Sequence, residues 1–189
     1  MASILTGKVN PSGKLCVSYP KTESEELFCY NELPSDELVA YPFGFGLSYT
    51  TFECSDLEVQ PRAKTSDKII TIRCKVTNTG AAAGKEVVQL YVSPASGQPL
   101  KPLQLKGFKK VDLQPGESAD ICFEVSLDQL AWWSEGPDGK PLWTISDGDY
   151  RFRIGTSSAN LPLEAVCHLD GKPVEKPIRD EYFAIATVN

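Results

Sequence analysis

Between Thr51 and Leu169 the apolar residues recur at every second position in short runs, and a turn signal breaks the pattern roughly every dozen residues. In Ile69 to Asn78, Ile70, Ile72, Cys74 and Val76 fall on one face, and Thr71, Arg73 and Lys75 on the other. A period of two with one polar face marks a half-buried antiparallel strand. Ala119 to Val125 alternates in the same way, as does Asp149 to Ile154, where Tyr150, Phe152 and Ile154 share a face. Phe52 to Val59, Val87 to Val92, Leu105 to Val111, Leu142 to Ile145 and Leu161 to Leu169 complete the set. Leu113-Gln114-Pro115-Gly116-Glu117 is a strong turn, since proline presets one turn angle and glycine accepts a positive one. Ser126 to Leu130 reads as one helical turn, and no long amphipathic helix is predicted. No single strand of this kind can bury its own apolar face. The pattern therefore predicts an all-β sandwich of seven to eight antiparallel strands in two stacked sheets.

The flanks read differently. Residues 1–50 form an irregular N-terminal extension, with a turn cluster at Asn10 to Gly13 and a short strand expected over Lys14 to Tyr19. A polar stretch from Pro20 to Asp36 follows, long for a loop inside a compact domain. Tyr41 to Tyr49 (YPFGFGLSY) packs aromatics around Gly44 and Gly46, where a Cβ would hinder tight bends. Phe108 interrupts a basic, polar strand and is expected to point inward as an anchor. The division is thus 1–50 as extension, 51–171 as sandwich and 172–189 as a tail. The run Tyr182 to Val188 is expected to pack on its own sandwich as an edge strand, with pairing to another chain as the alternative.

Composition limits the function classes. The chain of 189 residues carries a net charge of −6, with 41% hydrophobic and 23% charged residues. No block of Lys and Arg offers the basic face that nucleic acid demands. No apolar run is long enough for a membrane helix. The start lacks the apolar segment of a secretory leader, so the expectation is a cytosolic chain, or a fragment of a secreted protein beginning at Met1. Six cysteines occur at wide spacing without a CxxC pair, which argues against zinc. Cys74 and Cys122 are expected as buried thiols, and Cys16 and Cys29, flanking the polar loop, as the best candidates for a bridge.

Several separate motifs, in order, resemble the C-terminal part of family 3 glycoside hydrolases. YPFGFGLSYTTF (41–52) resembles the segment joining the second domain of β-glucosidases and β-xylosidases to a fibronectin type III-like, immunoglobulin-like domain. Asn10 to Leu15 (NPSGKL) and Ser18 to Pro20 resemble the last strand region of the family's α/β sandwich domain. KVTNTGAAAGKEVVQLYVSP (75–94), LKGFKKVDLQPGES (105–118) and Trp143 to Ser157, ending Gly155-Thr156-Ser157, resemble successive strands of the sandwich.

The resemblance implies that residues 1–50 are a remnant of the α/β domain, either bound along the sandwich or mobile. It also implies a catalytic carboxyl pair on a barrel upstream of these motifs. No Ser-Asp-Trp or equivalent occurs, so no catalytic residue is assigned, and no cofactor or metal ligand either. The reading is a non-catalytic accessory module. Its partners would be the catalytic domains of a family 3 glycosidase, or polysaccharide.

Three residue sets compete as sites. Trp133 and Trp143 are the candidates for stacking on sugar rings, against the alternative of packing within the fold. Adjacent Trp132 and Trp133 point to opposite faces if extended, which exposes one of them. The single histidine, His168, lacks a nucleophile motif and reads as structural or surface. Glu25-Glu26 and Asp147/Asp149 are acid pairs by residue type alone, and Asp147-Gly148 reads as a turn.

Overall fold

The computed structural model describes residues 2–22, 38–61, 69–94, 103–136, 138–174 and 183–188. The expected loop from Glu23, with Glu25, Glu26 and Cys29, lies outside them, as does the proline-rich loop at 95–102.

Two four-stranded antiparallel sheets face each other. The first runs β13 (Ile185–Val188), β7 (Ser118–Ser126), β4 (Ile69–Asn78), β3 (Phe52–Pro61). The second runs β11 (Leu163–Leu169), β10 (Gly148–Gly155), β5 (Gly84–Ser93), β6 (Gln104–Leu113). The all-β sandwich read from the periodicity is the observed fold. Its core holds the alternating residues: Ile70, Ile72, Cys74 and Val76 of β4, Ile121, Phe123 and Val125 of β7, and Tyr150, Phe152 and Ile154 of β10. Full burial of each large side chain contributes roughly 1.5–3 kcal/mol, which is why two stacked sheets form where one would not. Leu127–Leu130 is a single 3₁₀ turn, capped by the Ser126 hydroxyl accepting from the Asp128 amide.

Phe108 does not point inward. In β6 the inward positions are Gly107, Val111 and Leu113, and Phe108 stands outside, half exposed against Phe183. A Cβ on Gly107 would press on the Phe123 ring and the Ala184 methyl, so the inward site has no room for a large side chain.

The strand expected over Lys14 to Tyr19 is also corrected. Only Tyr19–Pro20 (β1) is strand, paired with Val39–Tyr41 (β2). Upstream, Leu15 spends its amide on the Phe45 carbonyl (2.8 Å) and its carbonyl on the Gly44 amide (2.8 Å), so the aromatic segment takes the bonds that a longer strand would use.

A small third sheet went unpredicted. β8 (Trp132–Glu135), β9 (Pro141–Ile145) and β12 (Lys172–Val174) pair in the order β12-β9-β8; β8 and β9 precede β10 in sequence and β12 follows β11, and the small sheet lies beside the core. β13 closes the opposite side: its flank donates Ala184 N to the Lys106 carbonyl, and Lys109 Nζ donates to the Ala186 carbonyl (3.0 Å).

Candidate functional site

β5 is the strand on which the N-terminal segment is built. Its sequence from Val87 to Val92 (VVQLYV) puts apolar residues on both faces, interrupted only by Gln89, the mark of a strand covered on both sides. Val88, Leu90 and Val92 fill the core, while Val87, Gln89 and Tyr91 face outward. Gln89 is nonetheless only 2% exposed. Its Nε2 donates to the carbonyls of Gly44 (3.2 Å) and Thr156 (2.7 Å), and its Oε1 accepts from the Tyr91 hydroxyl (2.6 Å). A buried amide with every atom partnered stabilises one arrangement, whereas an unsatisfied one would cost 1–3 kcal/mol, as an order-of-magnitude figure. Gly44 sits at φ 78°, and a Cβ there would collide with the Gln89 amide. The glycine in this aromatic segment therefore has two causes, a left-handed backbone and a side chain lying against it.

Other ties hold the same segment. The Asn10 Oδ1 accepts from the Ser48 hydroxyl (3.0 Å) and the Tyr49 amide (2.9 Å), while its Nδ2 donates to the Ala83 carbonyl (2.9 Å). Lys14 pairs with Glu86 at 2.6 Å with both side chains largely buried, and Lys110 Nζ donates to the Ser12 carbonyl and hydroxyl. Ser158 N donates to the Phe43 carbonyl. Of the two states considered for residues 1–50, the described part lies bound along the sandwich.

Among the described residues the covering leaves hollows. Between the segment and the β5–β6 sheet is an open cleft of about 530 Å³, walled by Leu15, Phe43, Val87, Leu105 and Phe108. On the far side of Leu15 a second hollow of about 460 Å³ reaches Tyr41, Phe45 and Leu47. Leu5 is 78% exposed and Leu47 71%, with Val17, Tyr19, Tyr41 and Tyr49 about half exposed. Scattered apolar residues are ordinary at a surface, but a concentration on one segment marks a contact face.

The structure brings Trp133 and Trp143 together as direct cross-strand partners of β8 and β9. Their rings meet edge to face, 5.1 Å apart at 68°. Trp143 packs against the core, whereas Trp133 is 54% exposed. The pair offers one indole face to a sugar ring, not a flat double platform. Trp132 turns the other way and donates Nε1 to the Ser146 hydroxyl.

His168 stands opposite Asp149 across the β10–β11 ladder, and Nδ1 lies 3.0 Å from that carboxylate. This bond, with the charges of Asp147, Asp149 and Asp170, raises the imidazole above its ordinary pKa. Asp147, His168 and Asp170 bring ligand-type atoms within 4.8 Å of one another, all exposed. The sequence reading missed Asp170, although it follows His168 by two residues, the spacing that returns a side chain to the same side of an extended chain.

Cys54 and Cys74 are buried, which pushes their thiols up to about 11 and about 12. Cys122 is half-buried rather than buried, since it lies on the outer face of β7. Cys16 is exposed with a free thiol, and its expected partner Cys29 lies outside the described residues.

Comparison with known proteins gives this geometry a family. Residues 1–49 match the glycosyl hydrolase family 3 C-terminal domain, and residues 86–158 match the fibronectin type III-like domain. Thermostable beta-glucosidase B of Acetivibrio thermocellus is 36% identical over 185 residues, covering 87% of this chain and 24% of that protein. A putative beta-xylosidase of Formosa agariphila is 36% identical over 169 residues, covering 84% of this chain and 22% of that protein. Beta-glucosidase 3B of Thermotoga neapolitana, solved in complex with alpha-D-glucose, superposes with a TM-score of 0.77 at 32% identity, covering 93% of this chain and 27% of that one. The chain thus spans about a quarter of the length of these relatives, and their catalytic domain lies outside the matched part. By sequence and by fold the chain belongs to glycosyl hydrolase family 3, as the end of that family's C-terminal domain joined to its fibronectin type III-like domain.

Proposed function

We propose that this chain is a non-catalytic accessory part of a family 3 β-glucosidase-like protein. Residues 1–50 are the end of the α/β domain, 51–171 the fibronectin type III-like sandwich, and 172–189 a tail, of which Ile185–Val188 pairs along the edge of the first sheet. The sandwich holds the α/β end in place and presents it to the catalytic domains. The observation that carries this reading is the joint at Gln89: a fully bonded buried amide fixes the N-terminal segment on β5, while among the described residues apolar side chains of the same segment, Leu5 and Leu47 foremost, stay exposed. A segment anchored on one side and apolar on the other is shaped to hold two bodies together.

Two measurements test it. The purified chain should give only background hydrolysis of nitrophenyl β-glucoside and β-xyloside, and catalysis would overturn the reading. The chain should also form a complex with a separately expressed catalytic portion of a family 3 hydrolase, and absence of any complex would count equally against it.

The half-exposed indole of Trp133 favours a second reading, association with polysaccharide. Retention on cellulose, xylan or β-glucan that is lost in Trp133→Ala would support it, and no retention on any would remove it.

A further inference from the structure

Beyond the Gly148–Leu169 pair, the ladder of β10 and β11 opens into two connections. One, from β9 to β10, carries Asp147, and the other, from β11 to β12, carries Asp170. His168 stands one position before that last pair, across from Asp149. Asp147, His168 and Asp170 thereby hold one ligand atom each within 4.8 Å of the others, the single such group of three among the described residues.

The bonds these groups already make leave each of them a donor atom for an ion. His168 Nδ1 lies 3.0 Å from the Asp149 carboxylate. An ionised carboxylate only accepts, so Nδ1 carries the proton and the neutral ring keeps its lone pair on Nε2. That nitrogen lies 3.9 Å from Asp147 Oδ1. A histidine whose one nitrogen is fixed by a carboxylate presents the other to a metal in a set direction. Asp147 accepts from the Gly171 amide through Oδ1 (3.2 Å), and its second oxygen takes no hydrogen bond among the described residues. Gly171 lies so close that a Cβ there would press on the Asp147 backbone and Cβ, so packing as well as bonding sets the place of this carboxylate. Asp170 makes no hydrogen bond or ion pair among the described residues, and no lysine or arginine pairs with Asp147 or Asp149 there either.

Three carboxylates thus share one imidazole, and their mutual repulsion favours a bridging cation. The donor set selects which one. A ring nitrogen with carboxylates suits zinc and its first-row neighbours, whereas calcium and magnesium favour oxygen alone. Tetrahedral zinc, with bonds of about 2.0–2.2 Å, sets its ligand atoms about 3.4 Å apart, so Nε2 and Oδ1 have about half an ångström to close. Both side chains are exposed and free to move that far. We infer that Asp147, His168 and Asp170 form a binding site for a divalent transition-metal cation, zinc foremost, with Asp149 as the positioning residue of the imidazole and water in the remaining place. The bound ion ties the β9–β10 connection to the β11–β12 connection, and so fastens the small sheet of β8, β9 and β12 to the second sheet. The site does not depend on the accessory reading above.

His168 is the only histidine of the chain, so its imidazole resonances are unambiguous. The full chain, stripped with chelator and kept reduced at about pH 8, above the ordinary imidazole range, is titrated with zinc chloride and followed by imidazole nitrogen shifts. Zinc should shift Nε2 while Nδ1 keeps its proton, and the thermal midpoint should rise as the ion binds the folded chain. Calcium and magnesium at the same concentration should leave the ring unmoved. Asp149→Asn should weaken zinc about tenfold, as loss of an outer partner does, and Asp147→Asn and Asp170→Asn at least as much.

An imidazole unmoved by zinc, or moved equally by calcium, would overturn the site. Zinc binding of undiminished strength in both Asp147→Asn and Asp170→Asn would do the same, since the histidine would then act alone. Zinc that raises the midpoint without moving the imidazole is held by the cysteines, and also overturns it. The comparison of zinc with calcium on the unaltered chain needs no variant, so the test stands if a substitution prevents folding.

Discussion

At Gly44 the backbone angle and the neighbouring side chain make the same demand. Gly44→Ala puts a Cβ into a left-handed conformation and against the Gln89 amide. The expected cost is about 1–3 kcal/mol, read as a lower midpoint in urea denaturation. At His168 the expected effect depends on pH. Its folded pKa is raised above the usual value near 6.5, chiefly by the Asp149 hydrogen bond. A raised pKa means that the contribution to stability is complete below the unfolded value and is lost as pH rises through the folded one. An NMR titration should place the imidazole above its ordinary value, and Asp149→Asn should bring it down. The imidazole is exposed, so salt should weaken the shift.

At the scale of the element, the β8–β9 hairpin divides its tryptophans between two duties. Trp143→Ala removes a ring packed against the core and should cost about 3–5 kcal/mol. Trp133→Ala removes a largely exposed ring and should stay within about 1 kcal/mol, chiefly the lost edge-to-face contact. Thermal denaturation of the two variants separates them. Comparable losses would mean that Trp133 is structural after all. This hairpin was the least legible element in the sequence. Only the Leu142 to Ile145 half was recognised, because four residues of Trp-Trp-Ser-Glu carry too little periodicity to declare a strand. β6 was recognised as a strand but with one face wrong. Its large side chains at Leu105, Phe108 and Val111 are three apart, so they cannot share a face in a period of two. Which of them turns inward was settled by Phe123 and Ala184 pressing against Gly107.

For the whole molecule, the relation between the N-terminal segment and the sandwich matters most. Gln89→Ala removes every bond that this side chain makes to Gly44, Thr156 and Tyr91 while leaving the core face of β5 intact. Hydrogen exchange should accelerate at Gly44 and Leu15, whose amides are bonded within the segment, and stay slow in β4 and β7. Uniform acceleration throughout would instead mean that segment and sandwich unfold as one unit.

The sequence by itself determined the sandwich, because alternation in β4, β7 and β10 leaves each strand one apolar face that only a second sheet can cover. It also determined the family, through motifs whose glycines and turn residues hold their positions whatever surrounds them. Tertiary structure alone decided what lies on the outside of β5. Apart from Gln89 the run Val87 to Val92 is apolar on both faces, but no periodicity says which distant residues cover the second one. That choice belongs to the long-range bonds of Gln89, Asn10 and Lys14, between residues tens of positions apart, which no local pattern encodes.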